Sequence, residues 1–133
     1  MAGIDIIKNN EMRIDLIEIN GVDIAEIISE EIEIKDTQDA LDIIANCNYQ
    51  GSNKIIIHER HIVPEFYDLK TGIAGEVLQK FSTYSSYLAI VGDFTKYTSK
   101  SLKDFIYESN KTGRINFVTS LDEAKEVLGK KGK

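Results

Sequence analysis

Lys54-Ile55-Ile56-Ile57, preceded by Gly51-Ser52-Asn53 and followed by His58-Glu59-Arg60-His61, is the stretch that decides the fold. A short, unbroken run of β-branched residues leaves no polar face for water. It reads as a central strand covered on both sides, as in a parallel sheet with helices packed against it. Tyr87-Leu88-Ala89-Ile90-Val91 is a second buried strand, ending at Gly92-Asp93, and Ile115-Asn116-Phe117-Val118 is the last. Parallel neighbours need long return connections, and the segments between these runs carry the helical period that such connections use.

Working outward, Asp36 or Thr37 can cap a helix upstream of residue 54, and Ala40, Leu41, Ile44, Ala45 and Cys47 form its apolar stripe. Downstream, past the only proline, Pro64, the residues Leu69, Ile73, Val77 and Phe81 recur every four positions and predict one long helix. Gly72 and Gly75 cost such a helix stability, which calls for a reason such as close approach to the sheet or to a ligand. Residues 94–98 read as a loop, and Ser99 caps a third helix whose Leu102, Phe105 and Ile106 face inward. Ser120 and Glu123 form a capping box for a fourth, with Leu121, Ala124, Val127 and Leu128 inside and Gly129 at its end. The first 30 residues read as strands over 4–7, 13–19 and 22–28, the last two joined by an Asn20-Gly21 hairpin turn. Breaks of phase in both arms imply a bulge or burial on both faces. The expectation is an α/β fold in one domain over residues 1–133: a mostly parallel sheet, an antiparallel N-terminal hairpin at its edge, and about four helices.

Composition narrows the class. The 133 residues suffice for a core without disulfides or metals, and the 42% apolar and 29% charged shares are those of a folded chain. A net charge of −6 argues against nucleic acid, and the lysines Lys130, Lys131 and Lys133 read as a solvated tail. The start of the chain lacks a charged segment followed by an apolar run, and no stretch approaches the roughly 20 apolar residues of a membrane span, so a cytoplasmic location is expected. Cys47 is the only cysteine, which fits a reducing compartment, and its place beside Ala40 and Ile44 favours a buried, inert thiol.

The order of elements resembles that of STAS domains, the fold of the sporulation anti-sigma-factor antagonist. The SpoIIAA-like branch is the closer likeness, carried by Leu69-Lys70-Thr71-Gly72, Leu88-Ala89-Ile90-Val91-Gly92-Asp93 and Phe117-Val118-Thr119-Ser120-Leu121-Asp122-Glu123-Ala124. Residues 68–75 and 94–102 also look like those of an uncharacterised bacterial domain-of-unknown-function family. In STAS antagonists a strand leads to Asp-Ser-Ser-Gly-Leu at a helix start, where one Ser accepts the phosphate that switches partner binding. The matching run here is Asp68-Leu69-Lys70-Thr71-Gly72-Ile73, so the resemblance implies Thr71 as phospho-acceptor or contact residue, with Asp68, Lys70 and Gly72 around it. The run departs from the pattern by one extra residue between acid and hydroxyl, and by Lys70 in place of a hydroxyl. The resemblance implies a non-enzymatic regulatory module that works through a protein partner. Because SpoIIAA-like domains resemble lipid-carrier folds, the alternative is a carrier or sensor of a small apolar or anionic ligand, with Gly72 and Gly75 making room beside the sheet.

Read from the residues, a phosphate on Thr71 would be favoured by a helix dipole and by Lys70, while the plain alternative is a capping hydroxyl beside glycines. His58-Glu59-Arg60-His61 has one residue too few for the zinc-protease spacing, and two histidines cannot complete a zinc site, so no metal and no cofactor is expected. Thr95-Lys96-Tyr97-Thr98-Ser99-Lys100-Ser101 gathers hydroxyls and lysines before a helix. Thr98, Ser99 and Lys100, with Asp93 and His58, are therefore candidates for an anion or ligand site, although P-loop glycines are missing. Asp68, Asp93 and Glu59 could meet at the carboxyl edge of the sheet, but no nucleophile with a base closes into a catalytic set. Tyr49, Phe66, Tyr67, Tyr84 and Tyr97 offer aromatic surface for a homodimer.

Overall fold

A computed structural model of the chain describes residues 12–130; the strand expected over residues 4–7 and the tail lysines Lys131 and Lys133 lie outside them. β1 (Arg13–Ile19) and β2 (Val22–Ile28) form the hairpin, with Asn20 and Gly21 both at positive φ in the turn. The pairing runs without interruption from Arg13 opposite Ile28 to Ile19 opposite Val22, so the hairpin has no bulge. The phase break in β2 reflects burial on both faces, where Ile24, Ala25 and Ile27 are all fully buried, while in the edge strand β1 no residue is buried and Leu16 is exposed.

The chain continues through α1 (Thr37–Tyr49), β3 (Lys54–His58), α2 (Ile73–Thr83), β4 (Tyr87–Val91), α3 (Lys100–Thr112), β5 (Ile115–Val118) and α4 (Leu121–Leu128). The sheet order is β1-β2-β3-β4-β5, with β2 to β5 parallel and β1 the antiparallel edge. Right-handed crossovers that step one strand at a time must put every crossover helix on the same face. Accordingly α1, α2 and α3 bury Ala40, Ile44, Val77, Phe81 and Leu102 in one cluster with Ile55, Ile57, Leu88 and Ile90. α4, which follows the last described strand β5, lies on the opposite face, over Ile24, Ile56, Ala89 and Val118. No helix among the described residues is long and apolar enough to cross a membrane.

Local chemistry sets the helix starts. Asp36 caps α1 by accepting from the Asp39 amide at 2.9 Å, and Ser99 caps α3 by accepting from the Leu102 amide at 3.2 Å. Ser120 caps α4, but Glu123 reaches back to the amide and hydroxyl of Thr119, one residue beyond the N-cap amide that a capping box would engage. Cys47 is fully buried in α1, and burial pushes its thiol up to about 12.

Three expectations are corrected. Ala45 is exposed and Ile43 takes its place inside, because the buried stripe of α1 runs through Ala40, Ile43, Ile44 and Cys47. The helix expected from Leu69 begins only at Ile73: Leu69–Thr71 is a 3₁₀ turn, and Gly72, at φ +82°, breaks the ladder. Among the aromatics named for a dimer surface, Phe66 and Tyr67 are buried, while Tyr49 and Tyr84 are exposed.

Candidate functional site

The carboxyl ends of β3 and β4 carry the polar groups of the rim. β3 ends at His58, and a 3₁₀ turn, Glu59–His61, sends His61 back under the strand. The His61 ring, 1% exposed, accepts the His58 amide at Nδ1 (3.3 Å) and holds the Ser29 carbonyl at Nε2 (2.8 Å). An accepting Nδ1 leaves the proton on Nε2, and burial lowers the pKa, so the ring is a neutral structural tie. The His58 ring meets the His61 ring edge-on, with centroids 5.6 Å apart, and its Nε2 lies 3.7 Å from Glu26 Oε2. The pair thus ties the rim together, and no cluster of three or more His, Cys, Asp or Glu suited to a metal occurs among the described residues.

Glu59 organises the next layer. Its Oε2 accepts the Tyr97 hydroxyl at 2.5 Å and meets Lys96 Nζ at 2.8 Å, and its side chain is 14% exposed. It lies against Gly92, where a Cβ would stand 2.6 Å from both Glu59 Cβ and Oε1; only glycine lets β4 end beside this carboxylate. Tyr97 stacks on Tyr67 with centroids 5.1 Å apart, and the Tyr67 hydroxyl donates to the Glu59 carbonyl at 3.3 Å. Burial first, then the Glu59 carboxylate, holds both phenols protonated.

Of the candidate ligand residues, Thr98 and Ser99 line one hollow of about 310 Å³ with Asp68, Lys96 and Tyr97. The others go elsewhere. Asp93 accepts from the amide and hydroxyl of Thr95, which hold its carboxyl below the usual range. Lys100 points away along α3 to Asp104 at 2.9 Å, and that carboxylate raises its pKa. The three acids expected at the edge are thus divided among separate partners, Asp68 receiving the Lys70 amide at 3.2 Å.

Thr71 is exposed, and its Oγ1 lies 2.8 Å from the Glu65 carbonyl and 2.9 Å from the Asp68 carbonyl, while accepting the Ile73 amide at 3.3 Å. Lys70 is its neighbour in the same turn, and Gly72 follows in the left-handed conformation. A Cβ on Gly72 or Gly75 would meet nothing within 4 Å, so neither glycine reflects close approach to the sheet; backbone conformation accounts for Gly72, and Gly75 faces solvent. Sequence reading named Glu59 as an acid and Tyr67 and Tyr97 as aromatics, but it missed that they form one assembly with Lys96. Tyr97 and Glu59 stand 38 positions apart, and the only local hint is a glycine placed just after a buried strand.

A Thermotoga maritima protein of known crystal structure, described as a candidate anti-sigma factor antagonist, shares this fold with a TM-score of 0.50. The likeness covers 92% of this chain and 97% of that one at 12% identity, and it establishes a STAS-like arrangement of sheet and helices. No curated protein matches the chain. A family match runs from the last residue of β1 to the last of α4, residues 19–128, and by it the chain belongs to the family Domain of unknown function (DUF4180).

Proposed function

We propose that this chain is a non-enzymatic regulatory module that acts by protein contact, with Thr71 and residues 68–75 as its contact surface. The observation that carries the reading is the placement of Thr71: an exposed hydroxyl in the turn entering α2, on the connection that leaves the central strand β3. The likeness of residues 68–73 to the STAS phospho-acceptor run, which they depart from by one extra residue and by Lys70, supports looking for a switchable hydroxyl here. The fold neighbour, described as a candidate anti-sigma factor antagonist, supports the same kind of work here. The rim supports contact over turnover, since Glu59, Asp93, Asp68 and Ser99 are all engaged in holding loops or a helix start.

The turn also explains how a modification would act. A kinase would move the terminal phosphoryl group of a nucleoside triphosphate onto Oγ1, replacing its O–H bond by O–P and releasing the proton and a nucleoside diphosphate. The esterified oxygen can no longer donate to the Glu65 or Asp68 carbonyl, and a dianion would stand beside both. The free amides at the start of α2 and the Lys70 ammonium would draw that charge, so the turn would rearrange.

Pull-down from cells with the tagged chain, followed by affinity measurement on the captured partner, tests the reading. Thr71→Ala, which removes the donor alone, is expected to keep the partner, and Thr71→Asp, which adds a negative charge, to weaken it by about tenfold or more. If parent, Thr71→Ala and Thr71→Asp hold the same partner with the same affinity, the surface lies elsewhere.

A further inference from the structure

We infer that residues 94–99, the loop from β4 to α3, form a strap held shut by Tyr67, and that the Thr71 turn sets how tightly it is held. The regulatory meaning rests on the reading of Thr71 just given; the geometry rests on its own contacts. Thr71 Oγ1 bonds the carbonyls of Glu65 and Asp68, and Tyr67 is carried on the chain between them. The Tyr67 ring, 7% exposed, stacks on Tyr97 in the middle of the strap with 19° between planes.

The strap has one fixed anchor and one movable one. Phe94 packs edge-on against Phe117 of β5 with centroids 5.1 Å apart, which ties its first residue to the core. Its middle hangs on Glu59 Oε2, which takes both the Tyr97 hydroxyl and the Lys96 ammonium, and on the face of Tyr67. Lys96 and Tyr97 line the hollow beside Asp68 and also a second hollow, of about 270 Å³, bordered by Ile32, Ile62 and Pro64. The strap is therefore the wall between two hollows, and releasing Tyr97 joins them into one surface reaching from residue 68 to Ile32. Loss of the Thr71 hydroxyl bond loosens the turn, tilts Tyr67 and takes away one of the two supports of Tyr97.

Amide hydrogen exchange on the intact chain tests this without any partner. The peptide covering residues 94–99 reports the strap through the Thr95 amide, bound to Asp93 Oδ1, and the Tyr97 amide, bound to the Phe94 carbonyl. Thr71→Val, which keeps the shape and deletes the donor, is expected to speed exchange there about fivefold, the size of one lost hydrogen bond, with peptides of β3 and β4 unchanged. Coupling is reciprocal, so Tyr97→Phe, which releases Glu59, is expected to speed exchange in residues 68–72. Strap exchange at the parent rate in Thr71→Val, or unaltered exchange in residues 68–72 in Tyr97→Phe, overturns the proposal. If exchange shows the coupling while partner affinity ignores Thr71, the contact reading fails and the strap stands. If partner binding follows Thr71 while the strap is unchanged, the strap fails and the contact reading stands.

Discussion

The imidazole of His61 is 1% exposed and spends both nitrogens on the backbone, tying the end of β3 to the residue that follows β2. Burial lowers its pKa below the ordinary 6.5, with the Ser29 carbonyl opposing that shift. The unfolded ring takes up its proton near pH 6.5, and the folded ring does so only at lower pH. Between those two values the unfolded chain holds more protons, so stability rises with pH there. The contribution is complete above pH 6.5, declines as the pH drops below it, and stops changing once the folded value has been passed. Urea midpoints taken at about pH 7.5 and about pH 5.5 are expected to fall for the parent, and to fall less for His61→Gln, which cannot titrate. An equal fall in both proteins would mean that His61 is not the group responsible. Two histidines in one short run were legible in the sequence. Their separate partners were not, because these are set by the strand's register against Glu26 and Ser29, residues about 30 positions earlier.

The segment entering α2 shows where a periodic pattern misleads. Leu69, Ile73, Val77 and Phe81 keep a four-residue spacing, yet the first of them belongs to a 3₁₀ turn. Leu69 and Ile73 both pack on the core, so apolar spacing alone cannot separate a turn from a helix. Only the backbone of Gly72, at φ +82°, marks the break. The hairpin turn at Asn20-Gly21 and the caps at Ser99 and Ser120 were legible because their chemistry is local. The two glycines flanking the start of α2 are therefore expected to respond in opposite directions. Gly72→Ala forces an L-residue into the left-handed region and should destabilise by roughly 1 kcal/mol. Gly75→Ala sits inside the helix with open space around its new methyl and should stabilise by roughly 0.5–1 kcal/mol. Thermal melts of the two variants beside the parent check this; a shift of the same sign in both would mean that the helical ladder does not break at Gly72.

Across the whole molecule, alternating buried runs and amphipathic segments determine a parallel sheet, and that much was legible in the sequence. The distribution of helices between the two faces was not, because it follows from the strand order. A sheet built one neighbour at a time places α1, α2 and α3 together, and leaves the second face, among the described elements, to α4 alone. α4 has eight residues and buries Ala124 and Leu128 against Ile24, Ile56, Ala89 and Val118. Its detachment would expose a small cluster and leave the larger one intact, so it should open at lower free energy than the sheet. Native-state hydrogen exchange in low urea is expected to resolve two classes: amides of α4 opening first, and those of Ile56 and Ile90 only with global unfolding. Leu128→Ala should widen the gap, lowering the α4 opening energy by roughly 2–3 kcal/mol through the cavity it leaves. A single isotherm shared by α4, β3 and β4 would mean that the two clusters melt as one body, and that the helix on the second face is as integral to the fold as the three opposite it.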